Sequence, residues 1–317
     1  MRSFLLLAVL TTLCLTTSLR AQQVEDNALR FNGQSDFVAM AQTATATNSF
    51  TMEMWAKPTA THEIDVESLE GYAGIDGQRY AVFPSHGNLD WGAGHAGAGI
   101  SIGTNGVSVY EHAGNYIPAV LVHETEISGW THVAVVYRKG TPLLYINGEL
   151  VRIGRPSPYR FVHPSTGDSH RGYMSSGIGG GYYGWYAGDL DNVRVWARAV
   201  DTEAMRKHLG TNVQGEGLLM SLNMNQSGAG KGLIVDNRGT RFHSTKQNER
   251  LQNASDSPLA LTYGTDRTPY FVLRTTNDAA RLVTVDRPRE ELSNPLEPNE
   301  IEKATLAKVP TTRPTLK

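Results

Sequence analysis

The 317-residue chain holds one cysteine, Cys14, and no excess of either charge: 29 Lys+Arg against 31 Asp+Glu, a formal net charge of -2. This near balance provides no basic field for a nucleic-acid backbone and no acidic-tail signature. No interior stretch approaches the ~20 apolar residues that a membrane-spanning helix needs. A long 3.6-residue periodicity is also missing before Gly210, which excludes parallel α/β folds, because every parallel crossover takes a dozen or more residues. What remains is apolar enough, at 40% hydrophobic residues, to build a core without staples.

Residues 1–21 read as a secretory signal. Arg2 supplies the positive start, Phe4 to Leu15 form an apolar run of about a dozen residues, and Ala21 offers a small residue for cleavage. Cys14 lies within this segment behind Thr12 and Leu13, a poor context for lipidation. Cleavage near Ala21 leaves a mature chain without thiols, stabilised by its core or by oxygen-ligated ions. The expected location is secreted, cell-surface or periplasmic.

From about Val24 to Leu209 short alternating runs are broken by glycine, the pattern of an all-β sandwich. Phe50, Met52 and Met54 alternate with Thr51, Glu53 and Trp55, and Pro58 closes that strand. His132 to Arg138, Leu143 to Ile146 and Leu190 to Trp196 are further strands. Asn147-Gly148 predicts a tight hairpin into Glu149-Leu150-Val151, because both residues tolerate positive φ. Asp201-Thr202-Glu203 caps a short helix running through His208 and ended by Gly210. Glycines crowd residues 71–106 and 167–188, as in the rim loops of a sandwich. Residues 211–287 read as a short β-rich extension, with strands at Leu218–Met224, Leu233–Val235, Tyr270–Leu273 and Arg281–Val285. Residues 288–317 carry five prolines among mostly polar residues and read as a flexible tail.

Five segments, in order, carry a resemblance: Ala28 to Val38, Phe50 to Pro58, Gly129 to Tyr137, Leu144 to Gly148, and Gly188 to Trp196 with Ala199 beyond. Together they resemble the laminin-G-like (concanavalin A-like) jelly-roll modules of secreted bacterial proteins over residues 22–210. The resemblance implies a two-sheet antiparallel sandwich and a non-catalytic module for recognition or adhesion. Its expected partner is a glycan or an extracellular protein, with no nucleic acid and no membrane span. It also implies a structural Ca2+ tying the first strand to the last, at Asn32, the Gly33 carbonyl and Asp191. A scaffold fragment of a larger surface protein is a further reading.

Glu63-Ile64-Asp65-Val66-Glu67 supports an enzymatic alternative. On a strand, residues two apart share a face, so three carboxylates would converge and one pKa would rise. The string resembles the catalytic strand of family-16 glucanases, which implies Glu63 as nucleophile, Asp65 as electrostatic helper and Glu67 as acid/base in retaining glycoside hydrolysis. It arrives earlier in the domain than in those enzymes, and its flanks lack a tryptophan-rich platform.

Aromatics point to the ligand. Trp91, Tyr110, Tyr116, Tyr182, Tyr183, Trp185 and Tyr186 lie in or beside the glycine-rich regions, where exposed rings stack on sugars or fill partner pockets. Of these, Trp91, Tyr182, Tyr183, Trp185 and Tyr186 are the expected ligand contacts. Other motifs fail on context. Gly92 to Gly97 fits a dinucleotide string without a strand–helix unit, and Gly99-Ile-Ser101-Ile-Gly103 fits a nucleophile elbow with no helix behind it. None of the ten histidines has the His-Glu-x-x-His spacing.

Overall fold

The computed structural model describes residues 27–34, 36–38, 46–165, 176–210 and 213–222, together with four short later strands. The expected signal segment 1–21 and the proline-rich stretch 288–317 lie outside the described residues.

The strands in chain order are β1 (Asn27–Asn32), β2 (Phe37–Val38), β3 (Phe50–Pro58), β4 (Tyr80–Val82), β5 (His95–Gly103), β6 (Gly106–His112) and β7 (Ala119–Glu124). They continue with β8 (Thr131–Arg138), β9 (Thr141–Ile146), β10 (Glu149–Ile153), β11 (Phe161–Pro164), β12 (Gly180–Gly181), β13 (Gly184–Trp185) and β14 (Ala187–Trp196). Beyond these lie β15 (Leu218–Leu222), β16 (Leu233–Val235), β17 (Thr262–Tyr263), β18 (Pro269–Arg274) and β19 (Leu282–Thr284). Helix α1 covers Gly87–Asp90 and α2 covers Thr202–Lys207.

One sheet runs β10-β9-β8-β3-β14-β1-β19, with β15 on the far half of β14. The other runs β11-β5-β6-β7, with β4 also on β5. All pairings are antiparallel except β11 on β5. The result is the expected two-sheet antiparallel sandwich. Its core is built by period-two alternation: Phe50, Met52, Met54 and Ala56 of β3 and Val133, Val135 and Tyr137 of β8 face Ala98, Ile100 and Ile102 of β5 and Val107 and Val109 of β6. Asn147 (φ 50°) and Gly148 (φ 82°) turn β9 into β10 as their types require. Strand β14 changes register between Asp191 and Arg194, where Asn192 takes φ 50°.

The outer face of the larger sheet is not solvated. Ala134, Val136, Tyr145 and Trp196 are buried there under Val200 and Met205 of the α2 region. On the same face Glu53 is fully buried and accepts from Trp196 Nε1 at 2.8 Å. Arg194 Nη1 reaches it at 3.3 Å, His208 Nδ1 lies 3.0 Å from the carboxylate and His132 Nε2 3.5 Å. Burial alone would raise the Glu53 pKa. The neighbouring His132 and His208 imidazoles and the Arg194 charge outweigh it, holding the group ionised far below the usual carboxylate range.

The outer face of the smaller sheet carries the candidate site. Outward positions of β5 are small because residues 83–85 run directly over them. A Cβ on Gly97 would stand 2.2 Å from the Ser85 carbonyl oxygen. Among the described residues, no helix is long and apolar enough to cross a membrane.

Candidate functional site

Strand β6 points Val107 and Val109 into the core and therefore turns Ser108, Tyr110 and His112 outward. Three segments converge on these residues. The loop preceding β4 brings His62 and Asp65: His62 Nε2 lies 2.9 Å from Ser108 Oγ, and the Tyr110 hydroxyl donates to Asp65 Oδ2 at 2.6 Å. Residues 83–86 bring Phe83, and His86 packs on His112 with ring centroids 4.6 Å apart. The third segment is the β12–β13 hairpin, whose two-residue turn is Tyr182-Tyr183.

A two-residue hairpin turn usually takes Asn-Gly, because both positions then have positive φ. Neither tyrosine here has positive φ, so the aromatic pair replaces the commonest turn chemistry. The hairpin is held down by backbone bonds from Gly179 N to the Ala81 carbonyl (2.9 Å) and from Phe83 N to the Gly177 carbonyl (3.0 Å). A Cβ on Gly181 would meet the Phe83 ring at 2.4 Å, so glycine lets the hairpin lie on that ring. Tyr182 rests on Phe83 at 4.8 Å and on Tyr183 at 4.4 Å, and Tyr183 meets His112 at 5.8 Å. Tyr182 is still 46% exposed. The outcome is a braced ring surface with one tyrosine presented to solvent.

The other expected ligand contacts scatter. Trp91 stacks on His163 at 4.2 Å and 12°, beside the sheet's β11 edge. Trp185 packs on Phe37 at 5.7 Å. Tyr186 is fully buried against Phe31, with its hydroxyl on the Asp189 carbonyl, and its ring is unavailable to a ligand. Tyr110 and Tyr116 are buried as well. Phe83, His86 and His112, absent from the sequence expectation, support the surface instead. The available signal was the outward parity of Ser108, Tyr110 and His112, but parity does not reveal what covers a face.

The segment Glu63–Glu67 is not a strand, since only Glu67 makes an isolated bridge, to Ala119. Its carboxylates consequently share no face. Glu63 is exposed, Asp65 takes Tyr110 and Gln78, and Glu67 Oε1 accepts from Val122 N (2.9 Å) and pairs with Arg152 Nη2 (2.9 Å). Desolvation raises the Asp65 pKa, with the Tyr110 hydrogen bond opposing and the Glu63 charge assisting.

The expected calcium groups are likewise separated. Asn32 pairs with Ala187 at one end of β14, whereas Asp191 lies beyond Leu190, which pairs with Leu29. Asn32 Oδ1 accepts from the backbone of Gln34 (2.9 Å) and Asp36 (3.2 Å). Both Asp191 oxygens accept from Asn192, through its backbone N at 2.6 Å and its Nδ2 at 2.7 Å. The Gly33 carbonyl accepts from Arg79 Nη1 at 3.2 Å, which places a guanidinium where the ion was expected. These residues do not fit a shared divalent ion, and among the described residues no cluster of three His, Cys, Asp or Glu would hold a metal.

Two face-to-face antiparallel sheets with a hairpin and covering loops on the smaller one define a protein of the jelly-roll sandwich class. The chain belongs to the concanavalin A-like lectin/glucanases superfamily, whose laminin-G-type model matches residues 32–204. No curated protein matches it. Among solved structures, a carbohydrate-binding candidate from Bacteroides ovatus is similar at 16% identity over 83% of this chain and 61% of its own, with a TM-score of 0.45. The heptameric SAP-like pentraxin of Limulus polyphemus is similar at 16% identity over 69% and 95%, with a TM-score of 0.38. Domains LG4-5 of the mouse laminin alpha1 chain are similar at 12% identity over 56% and 44%, with a TM-score of 0.34. The chain thus spans about three fifths of the Bacteroides protein's length.

Proposed function

We propose that this chain is an exported, non-catalytic recognition module that binds carbohydrate on the outer face of its smaller sheet, at the Tyr182–Tyr183 turn. The observation that carries the reading is Tyr182, nearly half exposed yet braced by Phe83 and Tyr183. An exposed ring already immobilised from beneath offers a flat apolar face to the C–H side of a sugar and loses little freedom on binding. Tyr183 and His112 continue the ring surface, and Asp65 and His86 give it polar borders. The exposure of Glu63 and the separate partners of Asp65 and Glu67 weigh against hydrolysis by that trio.

Affinity electrophoresis in gels cast with barley β-glucan, galactomannan or arabinan tests the reading. At least one polysaccharide should retard the wild-type chain, and Tyr182→Ala should bind at least about tenfold more weakly, a change of ~1.4 kcal/mol. Its melting temperature should stay near wild type, because an exposed ring contributes little to the core. Equal retardation of the variant, or none of the wild type, would overturn the proposal.

A further inference from the structure

We propose that Asp65 orients the ligand at this surface and restricts it to glycans free of acidic groups; the inference rests on the recognition reading above. Tyr110 Oη donates to Asp65 Oδ2 at 2.6 Å and Gln78 Nε2 donates to the same oxygen at 2.9 Å. Both donors are rigid, since Tyr110 is fully buried and Gln78 is 2% exposed. They pin the carboxylate through one oxygen. Among the described residues, Oδ1 accepts no hydrogen bond and the group has no cationic partner, while the residue itself is only half-buried. The outcome is a fixed acceptor open to a ligand hydroxyl.

Two observations attach this acceptor to the ring surface. The Gln78 backbone bridges to Gly184, adjacent to Tyr183, and Tyr183 packs against the buried cluster that contains Tyr80, Phe83 and Tyr110. The Gln78 amide that holds Asp65 is itself buried, which fixes the carboxylate relative to the rings.

The local charge selects against acids. Burial and the Glu63 charge both raise the Asp65 pKa, so another anion placed there meets a carboxylate that is already strained. Arg79, the cation on this loop, is turned toward backbone, with Nε on the Thr61 carbonyl and Nη1 on those of Gly33 and Trp185. A uronate or sulfate would add a negative charge next to the Asp65 and Glu63 carboxylates.

The test is affinity electrophoresis of the full chain and of Asp65→Asn, Tyr110→Phe and Tyr182→Ala. Gels contain barley β-glucan, galactomannan or arabinan on one side and polygalacturonate or alginate on the other. The wild type should bind an uncharged polysaccharide at least tenfold more tightly than either acidic one. Asp65→Asn turns the outward acceptor into a donor and removes the charge; it should lose at least tenfold in affinity for the uncharged ligand and narrow the discrimination. Tyr110→Phe should lose several-fold by releasing the carboxylate, and melting curves should show each variant folded. If the wild type binds polygalacturonate as tightly, or if Asp65→Asn keeps full affinity while Tyr182→Ala loses it, this inference fails and the recognition reading stands. If the wild type binds none of the five, both fail.

Discussion

Glu53 occupies the middle of β3 between two core methionines, and its alternation marks it as outward and solvated. It is instead fully buried, because Trp196 and the end of α2 close over that face from more than 140 residues away in sequence. Two histidines, an arginine and an indole converge on it. Glu53→Gln removes the anion that Arg194 Nη1 reaches at 3.3 Å, while the guanidinium stays buried on the His208 and Gly210 carbonyls. Breaking a buried pair in this way typically costs about 3–5 kcal/mol. Urea denaturation at pH 7 should show Glu53→Gln destabilised by about 3 kcal/mol, and a loss below about 1 kcal/mol would refute this account. Residue-scale parity was legible in the sequence; what covers each face was not. The same limit separates Tyr182, at a turn, from Tyr186, four residues on and in the core.

Elements were more legible than residues. Strands β3, β8, β9 and β14 follow from apolar alternation, and the β9–β10 turn from Asn147-Gly148. Helix α2 follows from its cap: Asp201 accepts from the Ala204 backbone N at 2.9 Å, satisfying one orphan N–H of the first turn. Asp201→Ala should therefore destabilise the protein by about 1 kcal/mol, readable as a lower thermal midpoint. The midpoint falls only if α2 is docked, since an uncapped but undocked helix costs the fold nothing. Glu63–Glu67 shows where element reading fails. Its alternation is one of charges, and a strand needs neighbours to pair with, whereas this segment makes a single isolated bridge. The parallel β11–β5 pair was equally invisible, because the intervening chain, β6 to β10, serves both sheets and leaves no crossover-helix signature.

At the scale of the whole molecule, the buried titratable groups set how stability varies with pH. Burial holds His62 down to about 4 against the partial support of Asn105, and burial together with the His95 charge holds His163 down to about 4. Each has an ordinary value of 6.5 when unfolded. The unfolded chain therefore binds more protons between pH 6.5 and 4, and the stability these neutral rings contribute is lost as pH falls through that window. The loss should be roughly 2–3 kcal/mol for each histidine. Glu53, depressed in the folded state, is fully stabilising above its ordinary 4.5 and adds a further loss below it. Asp65, raised by burial, works in the opposite direction, since its ionised form is the costly one. With His95, His123 and His132 also lowered by burial, the falling contributions outnumber the one rising one and predict a steady decline from neutral pH. Urea midpoints at pH 7, 5.5 and 4 should show it, and His62→Gln should flatten the slope between pH 6.5 and 4 because glutamine takes up no proton. Parallel curves for wild type and variant would mean that His62 titrates alike in both states, and the burial argument for it would be wrong.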